Sequence, residues 1–220
     1  MRELTRALFD AGAIRFGEFT LSSGRRSSYY LNLRLLTSVR KEWQGTLVRK
    51  VVEAYHSVIE DVGAGKVDIV LGPAYASITY LAGLTLLYGI RTGYGVKEEA
   101  LKGHGVPRWI YAEFTDGDHV LYLDDVMSSG GSILKLDAQV EKQCGVDNLL
   151  VSAKDVVVLV DRQEGRSVLE AHRSAVAPQG LKVHSFTTIG QMCDILVGDG
   201  LITRSVRNLV AKEIREKSRL

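Results

Sequence analysis

Cysteine is nearly absent from this chain: Cys144 and Cys193 are the only two in 220 residues, far apart and in no CxxC or Cys/His spacing. That argues against a disulfide framework and a thiolate zinc site, and it leaves both thiols as reduced, packed side chains. Proline is scarce too, at three residues, and no Pro-rich, repetitive or low-complexity tract divides the chain. No apolar run approaches the length of a bilayer span. The N-terminal stretch MRELTRALFDAGAIRFGEF is broken by charges where an export signal carries its apolar segment. A cytoplasmic protein without a membrane partner is therefore expected. Charge of one sign is missing as well, since 28 Lys and Arg stand against 26 Asp and Glu for a net +2. So even a balance gives no reason to expect nucleic acid as a partner.

What remains is the composition of an ordinary globular domain, 45% hydrophobic and 25% charged, on a chain long enough for one substantial core. A single domain over 1–220 is expected. From about 66 to 190, short apolar runs alternate with longer helical stretches, the pattern of βαβ units and a parallel sheet covered on both faces. KVDIVLGP, HVLYLDDV, DVVVLVDR and KVHSFTTI read as strands, and Ala76 to Tyr88 and Ser132 to Cys144 as crossover helices. Residues 43–60 read as a helix before this core. The fold class is α/β, with a central, mainly parallel sheet flanked by helices. Residues 1–40 differ: a short helix precedes FGEFTLSSGRRSSYYLNLR, whose alternation suggests strands of a small antiparallel hood. From Gln191 onward two helices are expected, the last strongly charged.

The chemistry concentrates in VLYLDDVMSSGGS, residues 120–132, where an apolar run leads into two adjacent carboxylates and then a loop of hydroxyls and glycines. In an open parallel sheet such a loop lies in the crevice beyond the strand ends, where ligands bind. SSGGS offers unhindered backbone N–H groups, three hydroxyls and the start of a helix, all suited to a phosphate dianion. Asp124 and Asp125 repel phosphate but accept hydrogen bonds from sugar hydroxyls. Together they favour a ribose bearing a 5′-phosphate. Neither a Walker A sequence nor a GxGxxG fingerprint follows a strand, which argues against a nucleoside triphosphate or NAD.

This stretch resembles the phosphoribosyl-pyrophosphate (PRPP) motif of the type I phosphoribosyltransferases in residue class at all thirteen positions. Four further stretches resemble orotate phosphoribosyltransferase in order and spacing. FGEFTLSSGRRSSYYLN is similar to its N-terminal signature, LGPAYASI to its pyrophosphate loop, KEEALKGHG to its mobile catalytic loop, and LVDRQEG to its strand-end arginine. The resemblance implies a type I phosphoribosyltransferase-like fold and transfer of ribosyl 5-phosphate from PRPP to orotate, in pyrimidine (UMP) biosynthesis, with Mg²⁺ as cofactor. It implies PRPP contacts from Tyr75, Ala76, Lys97, Lys102, His104, Asp124, Asp125, Val126, Met127, Ser128, Ser129, Gly130, Gly131 and Ser132. Orotate would meet Tyr30, Leu31, Ser128 and Arg162, and catalysis would fall to Lys102, His104 and Asp125. No protein side chain is assigned as a dedicated metal ligand. In the relatives the lid reaches a neighbouring subunit's site, which implies a homodimer.

Residue chemistry supports the acceptor independently, because an anionic base needs a positive partner and Arg162 follows VVVLVD at the same sheet edge. Gly-Pro at 72–73 makes a tight turn whose N–H groups suit pyrophosphate. Lys97, Lys102 and His104 fall among Gly93, Gly95, Gly103 and Gly105, the make-up of a hinged lid. The chain also departs from the family: Ser22 and Ala76 stand where many relatives carry lysine, and VKEEALKGHG lacks their adjacent Arg-Lys. Two alternatives therefore stay open, a phosphoribosyltransferase for another base and a non-catalytic PRPP-binding regulator.

Overall fold

A computed structural model describes residues 1–20, 24, 26–38, 45–63, 66–96, 108–164 and 166–217. The core is a six-stranded sheet in the order β5-β4-β3-β6-β7-β8. Its strands are β3 (Ile69–Pro73), β4 (Thr92–Gly95), β5 (Ile110–Tyr111), β6 (His119–Met127), β7 (Ser152–Asp161) and β8 (Lys182–Thr188). All neighbours pair in parallel except β4 and β5, which pair antiparallel at one edge. Each expected strand is present, and β7 shows why it reads so clearly: Val156 to Val160 are all fully buried. Val157 and Leu159 pack into one hydrophobic cluster and Val156 and Val158 into another on the opposite face. Burial on both faces turns a strand's usual alternation into a continuous apolar run.

Helices α1 (Arg2–Asp10), α2 (Thr46–Val62) and α3 (Ile78–Tyr88) cover the first face. Covering the second are α4 (Gly131–Asp147) and the short α5 (Arg166–Ala171). The chain leaves β3 toward β4 in one direction along the sheet and later runs from β6 to β7 and β8 in the other. The carboxyl ends of β3 and β6 therefore flank the topological switch point, where doubly wound sheets open a crevice.

The hood is a two-stranded antiparallel hairpin of β1 (Ile14–Thr20) and β2 (Arg26–Leu31), followed by a 3-10 turn at Leu33–Thr37. Two C-terminal helices, α6 (Ile189–Gly198) and α7 (Arg204–Lys217), pack beneath it, with Tyr29, Ile189, Cys193 and Val210 forming a separate small cluster. The sequence pattern did not disclose β4, β5 or α5. Gly93 and Gly95, expected to act as lid hinges, instead lie in β4, where Gly95 pairs with Ile110 and Tyr94 with Tyr111. TGYG has little intrinsic strand preference, and pairing with β3 decides its conformation. Among the described residues, no helix is long and apolar enough to cross a membrane.

Candidate active site

At the switch point lies a cavity of about 800 Å³ whose walls come from distant parts of the chain. The sheet side supplies Pro73, Ala74 and Ala76 after β3 and Asp124, Asp125, Val126, Ser128, Ser129 and Ser132 from β6 and its loop. Opposite them the hood supplies Thr20, Tyr30, Leu31, Asn32 and Arg34, and the end of β7 adds Arg162 and Glu164. Two buried tyrosines hold the walls in register. Tyr55 of α2 donates to the Asp124 carbonyl at 2.9 Å, and Tyr80 of α3 donates to the Leu33 carbonyl at 2.8 Å. Burial and the neighbouring acids push both hydroxyls up, so they remain neutral donors.

The turn after β3 depends on Gly72. A Cβ there would sit 2.2 Å from Ser77 Oγ and 2.9 Å from the Leu123 carbonyl. Ser77 closes the turn by donating to the Pro73 carbonyl at 2.6 Å, and the Ala74–Tyr75 peptide bond is cis. Ala76 is buried against the cavity, whereas the Tyr75 side chain is 65% exposed and lies outside the lining.

Both acids are buried, and they lie within β6 rather than beyond it, because Asp124 pairs with Val158 and the strand continues to Met127. One Asp124 oxygen accepts from the Asp125 amide at 2.9 Å, and one Asp125 oxygen accepts from the Val126 amide at 2.8 Å. Burial, reinforced by the Asp125 charge, pushes the Asp124 carboxyl well above the usual range. Asp125 is raised by burial too, with the Val126 amide and the Arg34 charge pulling back. The desolvated acid pair faces a polar cavity with oxygens that can pair with the hydroxyls of a vicinal diol.

In the loop that follows, Ser128, Ser129 and Ser132 line the cavity. Gly130 has φ +76, and a Cβ on it would lie 2.8 Å from Leu169, so it fixes how the loop enters α4. Met127 is buried in the core and its carbonyl accepts from the Arg162 amide at 3.0 Å. Gly130, Gly131 and Met127 shape the loop without lining the cavity.

Arg162 reaches the cavity edge from a side-chain cluster that sequence reasoning left incomplete. Its Nε donates to Tyr29 Oη at 3.0 Å and to Glu164 Oε1 at 3.1 Å, and Nη2 donates to Ser27 Oγ at 3.4 Å. Nη2 also lies 3.8 Å from Glu213 Oε1, and the guanidinium stacks over the Tyr29 ring at 4.6 Å. Glu164 is one acidic partner of Arg162, and Glu213, 51 residues beyond the arginine in the sequence, is another. Among the described residues Nη1 has no partner. Asp161 anchors the turn by accepting from the Gln163 amide at 2.6 Å and from Arg166 at 3.1 Å.

Arg34 and Asn32 were missed altogether. Arg34 is the one cavity-lining cation without an ion pair among the described residues, and its charge acts on both acids. Its place in YYLNLR, one turn past the hairpin, was the only available signal. Lys97, Lys102 and His104 lie outside the described residues, as does Ser22. No group of three His, Cys, Asp or Glu side chains suited to a metal occurs among the described residues.

Comparison with known proteins gives the site its context. No family model matches the chain. Orotate phosphoribosyltransferase of Bifidobacterium adolescentis is 32% identical over 170 residues, covering 73% of this chain and 69% of its own. The chain belongs to the orotate phosphoribosyltransferase family. The crystal structure of orotate phosphoribosyltransferase from Aeropyrum pernix superimposes with a TM-score of 0.64 at 26% identity, over 90% of this chain and 99% of that one. Leishmania donovani UMP synthase matches with a TM-score of 0.73 at 24% identity, a likeness of fold covering 98% of this chain and 42% of the other. The type I phosphoribosyltransferase fold expected from the motif is thus confirmed, hood included. Within this family frame, Ala76 brings no charge to the cavity and Arg34 does.

Proposed function

We propose that this protein transfers the 5-phosphoribosyl group of PRPP to N1 of orotate, forming orotidine 5′-monophosphate and releasing pyrophosphate in pyrimidine (UMP) biosynthesis. The observation that carries the reading is a single cavity in which the acid pair and hydroxyl loop of β6 face the hood and Arg162. Asp124 and Asp125 accept the ribose hydroxyls. Ser128, Ser129 and Ser132, with the backbone of Val126, Ser128 and Ser129, hold the 5′-phosphate at the start of α4. Tyr30 and Leu31 frame the base, Ser128 borders it, and Arg162 offers Nη1 to its carboxylate.

Displacement at the anomeric carbon builds positive charge on the sugar and negative charge on the departing pyrophosphate, so positioning and anion stabilisation supply the catalysis. The turn at Pro73 to Ala76 receives pyrophosphate, and Arg34 supplies positive charge that Ala76 does not. Lys97, Lys102 and His104 are assigned to the lid, the last two stabilising the leaving group. Hard carboxylate oxygens beside substrate oxygens fit Mg²⁺, which Asp124 and Asp125 would help to hold with the donor's own oxygens and water. When bound, the ion supplies charge neutralisation on pyrophosphate.

The whole chain acts as one domain in the cytoplasm, and a homodimer shares its lids. Supporting the dimer, α3 is apolar all round and leaves Leu86 83% and Leu87 48% exposed, the kind of face a second copy covers. Following orotate loss by absorbance with PRPP and Mg²⁺, together with calorimetric titration of each substrate, tests the function. Tight PRPP binding without orotate consumption would favour a PRPP-binding regulator, and turnover of a neutral base instead would reassign the acceptor.

A further inference from the structure

A carboxylate far along the chain stands behind the cavity wall, in contact with side chains and backbone that carry that wall. Glu213 lies in the penultimate turn of α7, yet its side chain is only 12% exposed. Ser27 Oγ donates to its Oε1 at 2.6 Å, and the Ser28 amide and Ser28 Oγ both donate to Oε2 at 2.6 Å. Lys217, one turn on, donates to Oε1, and Arg162 Nη2 stands 3.8 Å from the same oxygen. Lys217 also reaches Glu164 Oε1 at 3.5 Å. Two carboxylates and two cations thus alternate around Tyr29. Burial alone would push the Glu213 carboxyl up, but hydrogen bonds from Lys217, Ser27 and Ser28 outweigh it and hold the group at about 2. Glu213 is therefore charged at every physiological pH.

We propose that Glu213 is a positioning residue for the acceptor base, fixing β2 through Ser27 and Ser28 and one edge of the Arg162 guanidinium at the same time. Resting on the orotate reading above, this gives the C-terminal helix a role in acceptor recognition. Tyr30 and Leu31 follow the pinned serines on β2 and face the cavity. With Nε and Nη2 occupied by Tyr29, Glu164, Ser27 and Glu213, the fork presents Nη1 in one orientation. The donor-binding acids and hydroxyl loop of β6 and the turn after β3 take no part in the side-chain contacts of the Glu213 clasp. The effect should therefore fall on the base and spare PRPP.

Glu213→Gln keeps the side chain's shape and removes its charge, and Glu213→Asp keeps the charge one methylene short. For the glutamine variant, orotate Kd by calorimetry and orotate KM should rise roughly tenfold, the scale of one charge-assisted hydrogen bond. PRPP affinity should stay within about twofold of wild type, with the aspartate variant intermediate. Should the glutamine variant fail to fold, Lys217→Met is measured in the same way and is expected to show a smaller rise for orotate alone. Equal losses for both substrates, or none for orotate, overturn the proposal while wild-type turnover leaves the function standing. A wild-type protein that binds PRPP but not orotate overturns both.

Discussion

Replacing Arg162 separates the structural role of its ion-pair cluster from the proposed role of its guanidinium at the orotate carboxylate. Its guanidinium is 8% exposed and lies between Glu164 and Glu213, which are 10% and 12% exposed. Removing one partner of a buried ion pair typically destabilises by about 3–5 kcal/mol, because the opposite charge is left uncompensated. Lys217 stays near both carboxylates, so Arg162→Ala should fall at the low end, about 3 kcal/mol. For a chain of this size that lowers Tm by roughly 6–12 °C. Arg162→Lys keeps a cation between the acids but loses the planar fork, the Tyr29 stacking and Nη1. It should cost only about 1 kcal/mol of stability. Loss of a charge-assisted contact to the orotate carboxylate, about 1.5–3 kcal/mol, should still raise orotate Kd by roughly 10- to 150-fold. Differential scanning calorimetry gives the first quantity and titration with orotate and with PRPP the second. A lysine variant that binds orotate like wild type would remove Arg162 from the base site, whatever its effect on Tm.

Three other outcomes follow from the same geometry. Asp124→Asn should raise Tm at neutral pH while weakening PRPP binding: the carboxyl's folded pKa lies above its unfolded value, so ionisation costs stability as pH rises through the folded pKa. A lower Tm for the asparagine variant at pH 7, followed across pH 4 to 8, would contradict the desolvation argument. Arg34→Gln should raise PRPP Kd about tenfold in calorimetry and leave orotate affinity unchanged, in keeping with one partly exposed charge-assisted contact. Leu86→Glu, which buries a charge if α3 is covered by a second copy, should give a monomer in sedimentation velocity at micromolar concentration. An unchanged sedimentation coefficient would move the interface elsewhere.

The continuous apolar run of β7, the amphipathic spacing of α4 and the order of acid, hydroxyl and glycine in VLYLDDVMSSGGS are local properties, and so the sequence alone determined β3, β6, β7 and β8, the main crossover helices and the hydroxyl-glycine loop after β6. Residues close in the chain must fold together, and their periodicity records which face is buried. It was equally enough to mark Arg162 as a residue at the edge of the cavity. Only the tertiary structure decided what surrounds that arginine, because Ser27, Tyr29 and Glu213 come from segments separated by up to 186 residues, and charge pairing depends on distance in space. The same holds for Arg34, whose neighbours in sequence say nothing of the acids it faces, and for β4, whose glycines become a strand because β3 and β5 are there to pair with them.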